Sequence, residues 1–196
     1  MKISCNRAKN LSYVIIDEFF TEEELVEVTN EIHDLKRFSL SPSNESICSA
    51  KERGKTLKTG SGLFLDRLYV NDRNASAILK ANRKLFDPDL LEKLEHFDSF
   101  FSFLVHSNQD NTLLNYYADK KEYLPHRDLS IVSAITFLQL GDFTGGDFCF
   151  PDQNETVQSL HNRMVVFPSC VLHTARPVYG EGIRVSIAQF VRYKPN

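Results

Sequence analysis

The sequence contains no apolar run that approaches the roughly 20 residues a membrane-spanning helix needs. Residues 1–7 are mixed and polar, so they do not indicate a signal peptide. The four cysteines lie far apart and form no C-x-x-C pair, which argues against both a disulfide framework and a zinc knuckle. The net charge of -3 gives no general attraction to nucleic acid or to anionic membranes. We therefore expect a cytoplasmic protein without membranes as partners, and nucleic acid is a less favoured partner because only a local basic patch could bind it. The oligomeric state stays unknown.

The chain does contain enough apolar sequence for one domain. A length of 196 residues and a hydrophobic fraction of 42% are ordinary for a globular domain with a sizeable core. Thr21 and Glu24 form a capping box, which predicts a helix over residues 22–35. Residues 38–60, rich in Ser, Lys, Asn and Gly, predict a mobile loop. The other elements predicted in the first 110 residues are strands over 11–17 and 62–70 and helices over 75–85 and 88–105.

From residue 111 onward the pattern changes to short apolar runs separated by turn signals such as Gly145-Gly146. These runs predict strands over 113–118, 132–140, 148–150, 164–167, 171–173 and 185–191. Several short strands at close spacing indicate a sandwich or barrel. We therefore predict one α+β domain over residues 1–196, with helices first and a β-barrel second.

A candidate metal site begins with His126 and Asp128, which an extended chain would point to the same side. A second histidine, His173, follows 47 residues after the first (173 − 126), far enough for several strands to bring the chain back. Two imidazoles and one carboxylate are the ligand set that holds non-haem Fe(II) and leaves coordination positions open. Each part alone has an ordinary explanation, because an H-x-D often lies in a turn and a lone histidine often lies in a core.

A candidate carboxylate site follows eleven residues after the second histidine. Arg184 and Ser186 lie at i and i+2 on a predicted strand and would therefore share a face. A fixed guanidinium beside a hydroxyl is well suited to bind a carboxylate. Without the nearby histidine, Arg184 would be interpreted as a surface charge on an edge strand.

Taken together and in order, these segments resemble the prolyl 4-hydroxylase-like 2-oxoglutarate/Fe(II) dioxygenases over residues 111–193. The matching segments are YADKKEYLPHRD at 117–128, TGGDFCFP at 144–151, RMVVFPS at 163–169, LHTARPV at 172–178 and GIRVS at 182–186. The chain also departs from the family. Arg184 stands where collagen-type members often have Lys, Ala118-Asp119 replaces a frequent Pro-Gly, and Phe137 falls where oxygen-sensing members have a Tyr that touches 2-oxoglutarate. These differences indicate a divergent member.

The resemblance implies a double-stranded β-helix, a jelly-roll or cupin-like core, over residues 111–196, with residues 1–110 as helical support and lid. It implies Fe(II) as the metal, 2-oxoglutarate and O2 as co-substrates, and ascorbate as an optional addition. The metal ligands would be His126, Asp128 and His173, with no catalytic residue beyond them. The co-substrate would be bound by Arg184, Ser186, Tyr117 and Thr136. For Tyr123, barrel packing and a functional role have equal support.

The leading hypothesis is an enzyme that hydroxylates a peptidyl or protein side chain, with proline as the first candidate, and releases succinate and CO2. The second hypothesis replaces this substrate by a free amino acid or another small metabolite. A nucleic-acid oxidative demethylase comes third, because the alkylated-base dioxygenases have a second Arg six residues after the first, whereas here Arg192 follows Arg184 by eight. A silent jelly-roll binding module comes last, since such a protein needs neither the metal ligands nor Arg184.

Overall fold

The computed structural model of the protein describes residues 1–39, 51, 52 and 54–194. Its strands are β1 (Lys2–Ala8), β2 (Leu11–Asp17), β3 (Lys51–Glu52), β4 (Lys55–Thr56), β5 (Ser61–Phe64), β6 (Gln109–Tyr117), β7 (Tyr123–His126), β8 (Val132–Leu140), β9 (Thr144–Gly145), β10 (Phe148–Phe150), β11 (Glu155–Val157), β12 (Arg163–Pro168), β13 (His173–Ala175), β14 (Val178–Tyr179) and β15 (Ile183–Arg192). The α-helices are α1 (Glu22–Ser39), α2 (Leu65–Leu68), α3 (Ala77–Asn82), α4 (Pro88–Phe97) and α5 (Ser102–His106). Short 3-10 turns cover Arg73–Ala75, Arg83–Phe86, Ser99–Phe101 and Pro151–Gln153.

Two larger antiparallel sheets form most of the β part of the described chain, and two further sheets, β9-β14 and β3-β4, have two strands each. The main sheet has the order β1-β2-β12-β8-β15-β6-β5, and the minor sheet has the order β11-β10-β13-β7. Strands β8 and β15 pair along nine residues, from Ile183 opposite Leu140 to Val191 opposite Val132. Because side chains alternate along a strand, each strand of the main sheet contributes to two separate faces.

Each face of the main sheet buries its own apolar cluster. On one face, side chains such as Leu138 and Ile187 pack against residues of the helices, including Val28 of α1 and Leu94 of α4. On the other face, Phe167 of β12 packs against aromatic side chains of the minor sheet, in the cluster that also contains Phe137. The ring centroids of Phe148 and Phe167 lie 5.4 Å apart. The helices therefore support the main sheet from outside, while the two sheets enclose the second cluster.

The capping box predicted for α1 is confirmed. The backbone N–H of Thr21 donates to Glu24 Oε2 at 2.9 Å, and the backbone N–H of Glu24 donates to Thr21 Oγ1 at 3.2 Å. These reciprocal bonds satisfy N–H groups that the first helical turn leaves without partners. Among the described helices, none is long and apolar enough to cross a membrane.

The predicted strand over 62–70 and the predicted helix over 88–105 need correction. Strand β5 ends at Phe64, where α2 begins, because the Asp66 carboxylate accepts hydrogen bonds from Arg73 and from the backbone of Thr112. The predicted helix is interrupted at Asp98, whose backbone is extended and whose side chain accepts from the N–H of Phe100 at 3.0 Å. In both places a local side-chain contact overrides the apolar periodicity.

In the first 110 residues the predicted strand over 11–17 is confirmed as β2, and β1, which was not predicted, joins it in the main sheet together with β5. Of the predicted mobile loop over 38–60, residues 40–50 and 53 lie outside the described residues. Its last part is hydrogen-bonded to β7 and to the residue before it. The N–H of Leu124 donates to the carbonyl of Leu57 at 2.8 Å, and the N–H of Thr59 donates to the carbonyl of Glu122 at 3.0 Å. The division of the chain into support and catalytic core stays a prediction.

Candidate metal and co-substrate site

Strand pairing brings the two candidate histidines together. His126 ends β7, His173 begins β13, and the two residues lie directly opposite each other in the minor sheet. Asp128 follows β7 by two residues, and one ligand atom from each of the three side chains lies within 4.8 Å of the others. The structure thus assembles the cluster that the sequence predicted, from residues 47 positions apart.

Backbone hydrogen bonds fix how the imidazoles face the carboxylate. Nδ1 of His126 is 2.8 Å from the carbonyl of Leu124, and Nδ1 of His173 is 2.9 Å from that of Val171. A carbonyl only accepts, so each Nδ1 carries the hydrogen, and neutral rings present a bare Nε2. The Nε2 atoms of His126 and His173 lie 3.6 Å and 3.4 Å from oxygens of Asp128.

The protonation state of His126 fits a metal ligand. Burial, followed by the neighbouring His173, lowers the pKa of His126 to about 4, so this ring is neutral at pH 7. Two imidazole nitrogens and a carboxylate oxygen converge on one point, from positions that are buried or half-buried. Such a donor set fits a divalent cation, which would neutralise the carboxylate and use the lone pairs of the rings.

A cavity between the two sheets connects this cluster to Arg184. Its polar walls include Asn115, Tyr117, Tyr123, Ser186 and Arg184. The remaining wall is apolar and is formed by Leu113, Ile135, Phe137, Phe148, Ala175, Ala188 and Phe190. The lining residues of β6 and β15 are alternate ones, as expected for one face of a sheet. The cavity therefore combines a few converging polar groups with an apolar surround, which is typical of ligand-binding sites.

Arg184 is the most deeply buried charge of this cavity, with 1% of its surface exposed. Its Nη1 donates to the carbonyl of Gly146 at 2.7 Å, and its guanidinium carbon lies 4.3 Å from the ring centroid of Tyr117. Gly146 has a φ of +73°, and a Cβ there would approach Arg184 Cδ to 3.2 Å. Among the described residues no carboxylate forms an ion pair with Arg184, and its Nε has no acceptor. A buried guanidinium with donors to spare fits a ligand carboxylate.

Tyr117 and Ser186 both lie beside Arg184, as predicted. Tyr117 is directly opposite Arg184 across β6 and β15, and Ser186 is opposite Asn115 in the next antiparallel pair along these strands. Burial raises the pKa of Tyr117 to about 12, so its hydroxyl stays protonated and can donate a hydrogen bond. The three predicted residues thus form one polar end of the cavity.

The prediction for Thr136 is wrong. Its neighbours Ile135 and Phe137 line the cavity, whereas Ala134 and Leu138 pack in the helix-side cluster. Since side chains alternate along β8, Thr136 points to the helix side. Its hydroxyl is fully buried and has no hydrogen-bond partner among the described residues. An uncertainty of one residue in strand register was enough to place it on the wrong face.

Tyr123 lines the cavity and stacks on a metal-ligand candidate. Its ring lies 3.5 Å from that of His126, centroid to centroid, at an interplanar angle of 12°. This contact orients the imidazole, so packing and function coincide in one residue. Phe137 also lines the cavity, with its ring centroid 6.0 Å from the guanidinium carbon of Arg184. Having no hydroxyl, Phe137 cannot donate the hydrogen bond that a tyrosine would offer there.

Lys58 and Asn115 are polar residues near the site that the sequence analysis missed. Lys58 forms a β-bridge with Tyr123, which places both side chains on the same face. It is 3% exposed, and its Nζ donates to Oδ1 of Asn115, while Nδ2 of Asn115 lies 3.4 Å from Oγ of Ser186. The alternation of Leu113, Asn115 and Tyr117 could have revealed Asn115; Lys58, in a polar segment without periodicity, gave no such signal.

The fold and the site together describe a β-barrel with a His/Asp/His cluster that fits a metal ion and a buried arginine that fits a carboxylate. Residues 112–192 match the family model described as the 2OG-Fe(II) oxygenase superfamily. This region, which is somewhat less than half of the chain, is similar to the 2-oxoglutarate- and Fe(II)-dependent oxygenases. No curated protein sequence matches the chain significantly.

Solved structures confirm the predicted jelly-roll fold. A prolyl 4-hydroxylase from Pseudomonas putida superposes with a TM-score of 0.63 at 15% identity, covering 95% of each chain. A prolyl hydroxylase from Trichoplax adhaerens, in complex with a peptide fragment of the hypoxia-inducible factor oxygen degradation domain, gives 0.65 at 17% identity, covering 92% of this chain and 83% of that one. A viral collagen prolyl hydroxylase from Paramecium bursaria Chlorella virus-1, in complex with 2-oxoglutarate, gives a TM-score of 0.60 at 14% identity, covering 93% of this chain and 96% of that one.

Proposed function

We propose that the protein hydroxylates a side chain of a peptide or protein substrate, with proline as the first candidate. One oxygen atom of O2 is inserted into a C–H bond of the substrate, and the other enters 2-oxoglutarate, which loses CO2 and becomes succinate. The observation that carries the proposal is the single cavity that joins the His126, Asp128 and His173 cluster to the buried Arg184. The peptide in the Trichoplax relative supports the substrate class.

In this proposal His126, Asp128 and His173 hold the Fe(II). When bound, the metal supplies the activation of O2 at coordination positions that the three protein ligands leave open. The carbonyls of Leu124 and Val171 keep each Nδ1 protonated, so that each Nε2 remains available as a ligand. The protein's contribution at the metal is therefore to set the tautomer and the direction of each donor.

Arg184 would bind the distal carboxylate of 2-oxoglutarate, assisted by the hydroxyls of Tyr117 and Ser186. The guanidinium is held in place by the carbonyl of Gly146 and by the ring of Tyr117, so little side-chain freedom is lost on binding. The apolar wall opposite these donors offers no competing hydrogen-bond partner, and such surroundings strengthen the charged hydrogen bonds inside the cavity.

The first test measures succinate formation from 2-oxoglutarate in the full-length protein, with and without Fe(II). His126→Ala is expected to abolish turnover, because a metal held by two ligands is lost, and chelation of the wild type should have the same effect until Fe(II) is restored. His33→Ala is the matched control, since His33 is exposed on α1 and lies on the helix side. Wild-type turnover by His126→Ala would contradict the proposed metal site.

The second test addresses the substrate. A library of proline-containing peptides, the same peptides with alanine for proline, and free amino acids are each screened for stimulated succinate formation. Mass spectrometry then locates an added oxygen on the stimulating compound. Stimulation by proline peptides alone is expected. Stimulation by free amino acids alone would overturn the peptide substrate in favour of a small metabolite, while leaving the metal and co-substrate site intact.

A further inference from the structure

Three serine hydroxyls form a connected cluster that ends on Asp128. Ser133 Oγ, at the start of β8, donates to Asp128 Oδ2 at 2.6 Å. Ser133 Oγ lies 2.8 Å from Ser169 Oγ, which in turn lies 2.7 Å from Ser130 Oγ. Ser133 and Ser169 are both 0% exposed, so water cannot replace these contacts easily. The cluster therefore connects the loop after β7 with the adjoining ends of β8 and β12.

The hydrogens of this cluster can be assigned from elementary chemistry. A carboxylate only accepts, so the single hydroxyl hydrogen of Ser133 is committed to Asp128. Ser169 must then donate to Ser133, and Ser130 must donate to Ser169. Every hydroxyl donates once, all in the direction of the carboxylate, and bonds aligned in this way polarise one another.

The backbone of Ser169 fixes the same loop a second time. The N–H of Asp128 donates to the carbonyl of Ser169 at 3.0 Å, and the N–H of Ser169 donates to the carbonyl of Ile131, also at 3.0 Å. The main chain of Asp128 is thus tied to the end of β12, while its carboxylate is tied to β8. With both ends held, the carboxylate has one preferred orientation.

We propose that Ser130, Ser133 and Ser169 act as positioning residues that hold the Asp128 carboxylate ready for the metal. This inference rests on the proposed function, in which Asp128 is a metal ligand. Groups that orient a metal ligand typically change metal affinity by about 10- to 100-fold when they are removed. We expect such a loss for Ser133→Ala. A smaller loss is expected for Ser169→Ala, which keeps the bond from Ser133 to Asp128.

The test measures binding of Ni(II), a redox-inert probe, to the metal-stripped full-length protein by calorimetry. Ser133→Ala should raise the Kd for Ni(II) about 10- to 100-fold. The double variant Ser133→Ala with Ser169→Ala should have the same Kd for Ni(II) as Ser133→Ala alone, because the serine hydroxyls act on Asp128 through Ser133. Ser76→Ala is the matched control: Ser76 is also 0% exposed and donates to a carboxylate, that of Glu31 at 2.7 Å, but on the helix side.

The control separates positioning from general stability, since Ser76→Ala should lower the melting temperature and leave the Kd for Ni(II) unchanged. A Kd within twofold of wild type in Ser133→Ala would overturn the serine proposal. If Ser133→Ala does not fold, Ser169→Ala decides alone, and a wild-type Kd in that variant is then the refuting result. Asp128→Ala separates a failure of the serine proposal from a failure of the metal site on which it rests. If Asp128→Ala binds Ni(II) like the wild type, the proposed metal site itself is wrong.

Discussion

Replacing Arg184 by Met should separate binding of the co-substrate from folding. Arg184 is 1% exposed, has no ion-pair partner among the described residues, and contacts the backbone carbonyl of Gly146 and the side chain of Tyr117. Met fills a similar volume without charge. The variant loses charged hydrogen bonds to the 2-oxoglutarate carboxylate, worth about 2 to 3 kcal/mol together. The KM for 2-oxoglutarate should therefore rise roughly 30- to 150-fold.

The same substitution should cost little stability in the absence of 2-oxoglutarate. A buried charge without an ion partner keeps its desolvation penalty, so removing it offsets the lost bond to Gly146 and the lost contact with Tyr117. We expect the free energy of unfolding of Arg184→Met, measured with denaturant, to stay within about 1 kcal/mol of wild type or to exceed it. Replacing an arginine that forms a buried ion pair, by contrast, lowers the free energy of unfolding.

Arg163 provides the matched control. It forms a bidentate ion pair with Asp17, at 2.5 Å and 2.9 Å, between directly opposed residues of β12 and β2. Arg163→Met should lower stability and leave the KM for 2-oxoglutarate unchanged. The assay is succinate formation at varied 2-oxoglutarate. A wild-type KM in Arg184→Met, together with a stability loss above about 3 kcal/mol, would show that Arg184 is structural and would refute the reasoning.

Three further predictions concern single side chains. Tyr117→Phe should raise the KM for 2-oxoglutarate about 3- to 10-fold with unchanged stability, because it loses one hydroxyl donor and keeps the ring under Arg184; a wild-type KM would argue against the contact. Thr136→Val should stabilise the protein by about 1 kcal/mol in denaturant unfolding, since it removes a buried hydroxyl without a partner, and a higher KM would contradict its placement. The hydrogen bonds from Arg163 hold the pKa of Asp17 below its ordinary value, so the native state binds fewer protons than the unfolded state. The wild type should therefore exceed Arg163→Gln by about 1 kcal/mol in free energy of unfolding at pH 7, and this difference should shrink as pH falls below about 4. If the difference does not shrink, Arg163 stabilises the protein through packing and not through its ion pair with Asp17.

The longer strands that line the cavity were predictable because they are apolar. In contrast, β7, which carries His126, was not among the predicted strands, and β13 covers His173–Ala175 where 171–173 was predicted. The predicted bounds of β8 and β10 are confirmed, and those of β6, β12 and β15 differ by a few residues. Strand β1 was missed because Lys2–Ala8 is mostly polar and pairs only with β2 at the edge of the main sheet. An edge strand with exposed side chains has no apolar alternation that a sequence pattern could detect.

The site was predictable where motif spacing alone defines it, and not where register or tertiary contact does. His126 and His173 could be paired from their order along the chain, and strand pairing then placed them opposite each other. Lys58 joins the site through its bridge with Tyr123, 65 residues away along the chain (123 − 58), and through its hydrogen bond to Asn115. Contacts of this kind are set by how the sheets close, which no local pattern encodes.

The two faces of the main sheet explain how the protein can keep a polar cavity at its centre. On β15, Val185 and Ile187 pack in the helix-side cluster. The alternating residues Arg184 and Ser186 face the cavity. The helix-side cluster is the larger of the two and contains no group of the proposed site. Stability can therefore come mainly from one face while the other carries buried polar groups whose full satisfaction requires ligands. Substitutions at successive positions of β15 should accordingly alternate between effects on unfolding and effects on co-substrate binding.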